Sequence, residues 1–305
     1  MRLSTTPAPS GILLVDKPGG MTSHDVVARA RRALGTKKIG HAGTLDPMAT
    51  GLLILGVGPA TRLLTFIVGL DKTYEATIRL GVATDSDDAD GRIVGTADAS
   101  QVADADVEAG IARLRGPISQ VPSTVSAIKV DGRRAYDLAR AGEQVQLKAR
   151  DVVVSRFDVL ARRSGDRAVD LDVVVDCSSG TYIRALARDL GAGLGVGGHL
   201  TALRRTRIGP FDVAGAQPVP ERDAAATAGL DAHLLPAAQV AAAVLGAVQL
   251  TADQARDLRH GKRIQLPDPP ARAAAIAPDG SLVGVIERRG PAVKSIMNLP
   301  EETSA

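Results

Sequence analysis

Apolar positions in this chain fall into two patterns. Gly11–Val15 is a short unbroken apolar run ended by Asp16-Lys-Pro-Gly-Gly20, which predicts a strand entering a tight turn. Leu52–Val57 is a similar run, entered from a polar loop punctuated by glycine. Lys72–Leu80 alternates in character and predicts a strand, and further strands are predicted at Val152–Leu160, Ala168–Asp176, Arg272–Ala277 and Leu282–Glu287. Thr22 and Ser23 can cap a helix from about His24 to Leu34, with Asp25 in its first turn and Gly35 beyond its end. Other helices are predicted near Asp104–Leu114, Arg133–Ala141, Tyr182–Leu190 and Thr251–His260. The Pro- and Ala-rich stretch Gln217–Leu235 reads as a domain connection. At 305 residues, the length suggests one large domain plus a smaller one.

Composition removes several classes. The chain has 45% hydrophobic and 23% charged residues, ordinary for a soluble protein, but only 2% aromatic residues, with three Tyr, three Phe and no Trp. RNA platforms built from rows of exposed aromatics are therefore disfavoured, and each tyrosine matters more. The single Cys177 excludes a disulfide framework and a Cys-rich zinc site. The N-terminal MRLSTTPAPS carries no apolar signal core, and no stretch reaches the roughly 18 apolar residues of a membrane span. A cytoplasmic location is expected.

A net charge of +3 hides segregation. Residues 1–72 hold nine Lys/Arg against four acids, residues 85–108 eight acids and one Arg, and residues 113–163 eleven Lys/Arg against five acids. Such clustering suits a polyanionic partner, with nucleic acid the leading candidate, and the acidic piece should avoid it. Gln120–Arg150 reads as an excursion from the core that carries basic residues.

Common catalytic signatures fail. Gly193-Leu-Gly-Val-Gly-Gly198 matches a dinucleotide-binding fingerprint in letters, but it follows a helix instead of a strand. No phosphate-binding GxxxxGK[ST] loop occurs, and the five histidines lack metal-ligand spacing. Ser23-His24-Asp25 is a coincidence of letters, since a triad assembles in space. What remains is Asp46 in Gly43-Thr-Leu-Asp-Pro-Met-Ala-Thr-Gly51. The glycines permit close approach, and Pro47 restricts Asp46 to extended geometry. A carboxylate held there can serve as nucleophile or base, or simply form a turn.

Gly11–Pro18, Gly40–Gly51, Lys72–Tyr74, Gln120–Lys129 and Ser178–Arg184 occur in the order found in the bacterial tRNA pseudouridine synthase B (TruB) family, which the first 210 or so residues resemble. The resemblance implies an α+β fold: a mixed, largely antiparallel central sheet with flanking helices, a thumb-like insertion, and a small β-rich C-terminal domain of the PUA type. Residues 1–235 would form the catalytic domain, with the insertion at about 120–150, and residues 248–300 the smaller domain. It implies conversion of uridine 55 in the tRNA TΨC loop to pseudouridine, without cofactor or metal, by a monomer that needs no protein partner and no membrane.

By that resemblance Asp46 is the catalytic carboxylate, Arg184 its cationic partner, and Tyr74 the ring that stacks on the target base. His41 fills the space left by flipped nucleotides, Tyr182 shapes the base pocket, and Leu203 packs near the uracil. Lys17 is expected to be structural or close to phosphate. Lys129, Arg133 and Arg134, with other basic residues of the insertion, would clamp tRNA phosphates, and Arg204, Arg205 and Arg207 would extend that surface. The same residues would also suit a tRNA-folding protein whose chemistry is secondary, or a relative acting on another RNA.

Overall fold

The computed structural model describes residues 9–123, 129–130, 133–134, 147–222 and 229–300, with backbone alone at 129–130 and 133–134. The chain begins with β1 (Gly11–Lys17), α1 (Ser23–Ala33), β2 (Ile39–His41), β3 (Thr50–Val57), α2 (Leu64–Ile67) and β4 (Lys72–Leu80). Next come β5 (Val82–Thr84), β6 (Ile93–Thr96), α3 (Asp104–Ala112), β7 (Gly116–Gln120), β8 (Lys129–Val130) and β9 (Arg133–Arg134). Then follow β10 (Arg150–Ser164), β11 (Val169–Cys177), α4 (Ile183–Gly193), β12 (Gly198–Ile208), β13 (Phe211–Asp212) and β14 (Gln217–Pro218). The C-terminal part holds α5 (Ala237–Leu245), β15 (Ala247–Gln249), α6 (Ala252–Arg259), β16 (Ile264–Gln265), β17 (Arg272–Ile276), β18 (Leu282–Arg289) and β19 (Ala292–Asn298). Two compact units result, one of residues 1–47, 51–68 and 209–305, the other of 48–50 and 69–208.

In the first unit β1 lies between β3, antiparallel to it, and β14, parallel to it, and β2 adds to β3. Leu13, Val15, Leu53, Leu55 and Val57 pack under Val26, Val27 and Ala30 of α1. Ile12, Leu14, Leu52 and Ile54 point to the opposite face and are buried too. Burial on both faces is why these strands read as unbroken apolar runs. Of Gln217–Leu235, expected as a connection, both ends join this sheet: Gln217 lies opposite Val15, and Ile12 and Leu235 exchange backbone hydrogen bonds at 2.9 and 2.8 Å. A second sheet, in the order β15-β17-β18-β19-β16, packs Ala273, Ala275, Val283, Ile286 and Val293 against Ala255 and Leu258 of α6. Thr251 caps α6 through a capping box with Gln254.

The second unit carries the antiparallel path β12-β4-β11-β10-β7. Strand β4 alternates as its sequence suggests: Lys72, Tyr74, Ala76, Ile78 and Leu80 are all buried. On its other face Thr73, Thr77 and Arg79 hydrogen-bond Asp176, Asp172 and Asp170 of β11. Helix α4 packs on β12 and β4. The glycines after it serve backbone packing: a Cβ on Gly198 would lie 2.6 Å from the Ala187 carbonyl oxygen. The fold is α+β with mixed, largely antiparallel sheets.

Strand β12 overturns one expectation. Arg205 is only 1% exposed, so it cannot extend a basic surface. The Arg-rich helix expected at Arg133–Ala141 begins instead with strand β9, paired to β8, and its remainder lies outside the described residues. Lys129, Arg133 and Arg134 fall in these two strands, and their side chains lie outside the described residues.

Candidate active site

Asp46 sits half-buried in the loop between β2 and β3, and the peptide units beside it are pinned. Before it, the buried Ser23 hydroxyl accepts from Leu45 N–H at 2.9 Å and donates to Leu45 C=O at 3.2 Å. After it, Pro47 C=O accepts from Gly20 N–H at 2.9 Å and from Lys17 Nζ at 3.1 Å. Lys17 is fully buried and also donates to the carbonyls of Pro18 and Met21, at 2.9 and 2.6 Å. Its position is that of a strut under the loop. Gly43, at φ 89°, supplies the left-handed residue that starts the loop.

Ser23 is thus committed to Leu45 and Asp25 to the Thr22 cap of α1, so the Ser-His-Asp letters form no triad. The His41 ring meets His24 edge to face, with centroids 5.5 Å apart.

Tyr74, Tyr182, Arg184 and Leu203 belong to the second unit. Tyr74 is buried on β4, directly opposite Val175 of β11 and Arg205 of β12. Leu203, also buried, faces Ala76 one row along. Lys72 occupies the next row, opposite Cys177 and Ile208. Burial, with the charge of Arg205 added, pulls the Lys72 ammonium down to about 8, and burial pushes the Cys177 thiol up to about 11. The sheet thus buries two basic side chains close to a tyrosine, Arg205 opposite it and Lys72 one row along.

Tyr182 is the N-cap residue of α4. Its backbone is held by the Gln120 amide, which accepts from Tyr182 N–H at 2.8 Å and donates to its C=O at 3.1 Å. Two residues on, Arg184 lies within the apolar face of α4 and is 3% exposed. Its guanidinium pairs with Asp88 at 3.2 Å and donates to Ser86 C=O at 2.8 Å.

Asp88 comes from the acidic stretch, which charge patterning alone reads as a piece that avoids a polyanion, and which does not by itself say whether its carboxylates are solvated. Asp87 and Asp88 are 8% and 5% exposed. The loop closes on itself: Thr84 Oγ1 donates to Asp88 C=O at 2.8 Å, and the Ser86 hydroxyl bonds the Asp88 carboxylate. The available signal was an arginine inside the apolar stretch Ile183–Leu186, because a guanidinium there needs a buried carboxylate.

Residues 31–183 match the N-terminal domain of the TruB family of pseudouridylate synthases, and 184–240 match the C-terminal domain of tRNA pseudouridylate synthase B. Residues 245–300 match the C-terminal domain of tRNA pseudouridine synthase II. The chain belongs to the TruB family. The tRNA pseudouridine synthase B of Leifsonia xyli subsp. xyli (strain CTCB07) is 55% identical over 97% of this chain and 98% of the relative. That of Nocardia farcinica (strain IFM 10152) is 56% identical over 92% of this chain and 90% of its own. Among solved structures, a chain of an H/ACA ribonucleoprotein bound to a substrate RNA containing 2′-deoxyuridine superposes with a TM-score of 0.69. It is 22% identical over 98% of this chain and 92% of that one, and shows the fold. As a TruB-family member the chain is a pseudouridine synthase, an isomerase of RNA modification. Among the described residues no helix is long and apolar enough to cross a membrane.

Proposed function

We propose that this enzyme isomerises uridine 55 in the TΨC loop of tRNA to pseudouridine, with Asp46 as the catalytic carboxylate and the target base flipped out of the loop. The observation that carries this reading is the pinned backbone on both sides of Asp46, in a chain of the TruB family. The reaction breaks the N1–C1′ bond, turns the uracil and rejoins it through C5, so it needs no redox partner and no energy source. A carboxylate performs the first step by attacking C1′ or C6, or by taking the C2′ proton. All three routes need an ionised group held in register with the substrate.

Arg184 is the cation that the family resemblance pairs with that carboxylate, favouring its charged form. Tyr74 stacks on the uracil and is a candidate for removing the C5 proton, with Tyr182 and Leu203 shaping the pocket. Flipping costs a few kcal/mol, and His41 fills the vacated space. Lys17 acts from beneath the loop. Lys129, Arg133 and Arg134 bind backbone phosphates, so affinity should fall steeply with salt.

The test uses an unmodified tRNA transcript with the wild-type chain and Asp46→Asn. Pseudouridine is mapped by carbodiimide labelling and primer extension. A stop at position 55 with wild type alone is expected. Modification by Asp46→Asn at the wild-type rate, or a stop elsewhere only, overturns the assignment. Tight tRNA binding by both proteins without modification would favour a tRNA-folding role.

A further inference from the structure

Two arginines one turn apart on α4 meet two consecutive aspartates of the β5–β6 loop. Arg184 Nη1 lies 3.2 Å from Asp88 Oδ2, and Arg188 Nη1 lies 3.2 Å from Asp87 Oδ2. The spacing of four residues puts both guanidiniums on one helix face. The first pair is sealed, with side chains 3% and 7% exposed, while the second sits at the edge, at 30% and 11%.

Asp87 has a φ of 62°, and among the described residues it is the one non-glycine in the left-handed region. A residue with a Cβ holds that conformation only where its surroundings fix it. Here the reversal has a definite consequence. The residue before it, Ser86, offers its carbonyl to Arg184, and the residue after it, Asp88, offers its carboxylate to the same guanidinium. Asp87 itself turns away to Arg188, and its carbonyl accepts from Leu200 N–H at 3.0 Å. Arg188 in turn donates to Val121 C=O at 2.8 Å and to Asp189 at 2.9 Å. Burial raises the Asp87 carboxyl above its ordinary range, against the pull of Ser123, Arg188 and Arg184. Its charged form therefore depends on those neighbours.

We propose that Arg188 is a positioning residue for the reaction: by pairing with Asp87 it holds the loop reversal that aims Ser86 and Asp88 at Arg184. The proposal rests on the reading above, in which Arg184 serves the catalytic carboxylate.

The test compares Arg188→Met, Arg188→Lys, Asp87→Gly and Asp87→Asn in the full chain with unmodified tRNA. Asp87→Gly keeps the left-handed backbone without the carboxylate, and Asp87→Asn keeps shape without charge. Circular dichroism selects folded variants, so at least one arm stays readable. Single-turnover rates at saturating enzyme should fall about tenfold or more for Arg188→Met and Asp87→Asn, and by less for Asp87→Gly, whose backbone takes up the reversal without the pair, with tRNA affinity within about twofold of wild type. Arg188→Lys should recover part of the rate, and Arg188→Met/Asp87→Gly should be no slower than either single variant. A wild-type rate in folded Arg188→Met overturns the proposal. So does a loss confined to affinity with a salt slope lower by about one, which would mark Arg188 as a phosphate contact. Arg184→Met separates the two levels. If it is inactive while Arg188→Met is normal, only the positioning fails; if Arg184→Met is itself normal, the underlying reading fails.

Discussion

Replacing Lys17 by Met keeps the length of the stem and removes the ammonium, which isolates the strut beneath the Asp46 loop. The loss can be followed bond by bond. Lys17 Nζ donates to Pro18, Met21 and Pro47 carbonyls at 2.9, 2.6 and 3.1 Å. All three carbonyls lose their lysine donor, and Pro47 C=O keeps its bond from Gly20 N–H, so the loss falls mainly on Pro18 and Met21. Bonds from a charged donor contribute roughly 1.5–3 kcal/mol each. Pro18 is exposed and Met21 half-buried, so water replaces part of that loss. The net cost should be about 2–3 kcal/mol, which at roughly 2–4 °C per kcal/mol lowers Tm by about 4–12 °C. Activity should suffer more than stability suggests. Pro47 follows Asp46 directly, and a displacement of about 1 Å at a reacting group can cost about 100-fold. A single-turnover rate about 10–100-fold below wild type, with tRNA affinity within about twofold, is expected from thermal melts, filter binding and quench-flow. A variant with unchanged Tm and rate would refute the strut. Affinity and rate falling together would place Lys17 against phosphate instead.

Two further outcomes follow from the row beside Tyr74. The Lys72 ammonium is held near 8 in the folded chain, against 10.5 for a free lysine side chain, so between those pH values the unfolded chain keeps a proton that the native chain has released. Stability should therefore rise with pH across that window, by up to about 3 kcal/mol at 1.36 kcal/mol per pH unit. The advantage of Lys72→Met over wild type in urea titrations should be largest at about pH 7 and shrink by about pH 10; a constant difference would falsify the burial argument. Cys177, 2% exposed with its thiol pushed up to about 11, should resist iodoacetamide at about pH 8 until the chain is unfolded in urea, and rapid labelling of the native protein would contradict its burial.

Much of this molecule is legible locally. The Thr22 and Thr251 caps, the alternation of β4 and the unbroken runs of β1 and β3 are properties of a few adjacent residues, and periodicity reports them directly. The family resemblance likewise lives in short segments such as Gly40–Gly51, so it can be read without coordinates.

Charge is where local patterns run out. By sequence alone Arg205 reads as an extension of the basic surface, Asp87 and Asp88 as part of an acidic piece that avoids a polyanion, and Lys17 as either structural or close to phosphate; all four are buried. Whether a charge is solvated depends on what stands opposite it, and the partners here are distant in the chain. Arg184 meets an aspartate of the β5–β6 loop, and Arg205 meets Tyr74 only through the register of β12 on β4. By itself the sequence determined many of the elements, the fold class through the family resemblance, and which loop carries the candidate carboxylate, while the helix expected at Arg133 began as a strand. Only the tertiary structure decided which charged groups left water and what holds them there, because a buried ion is tolerable only beside a specific partner that packing brings to it.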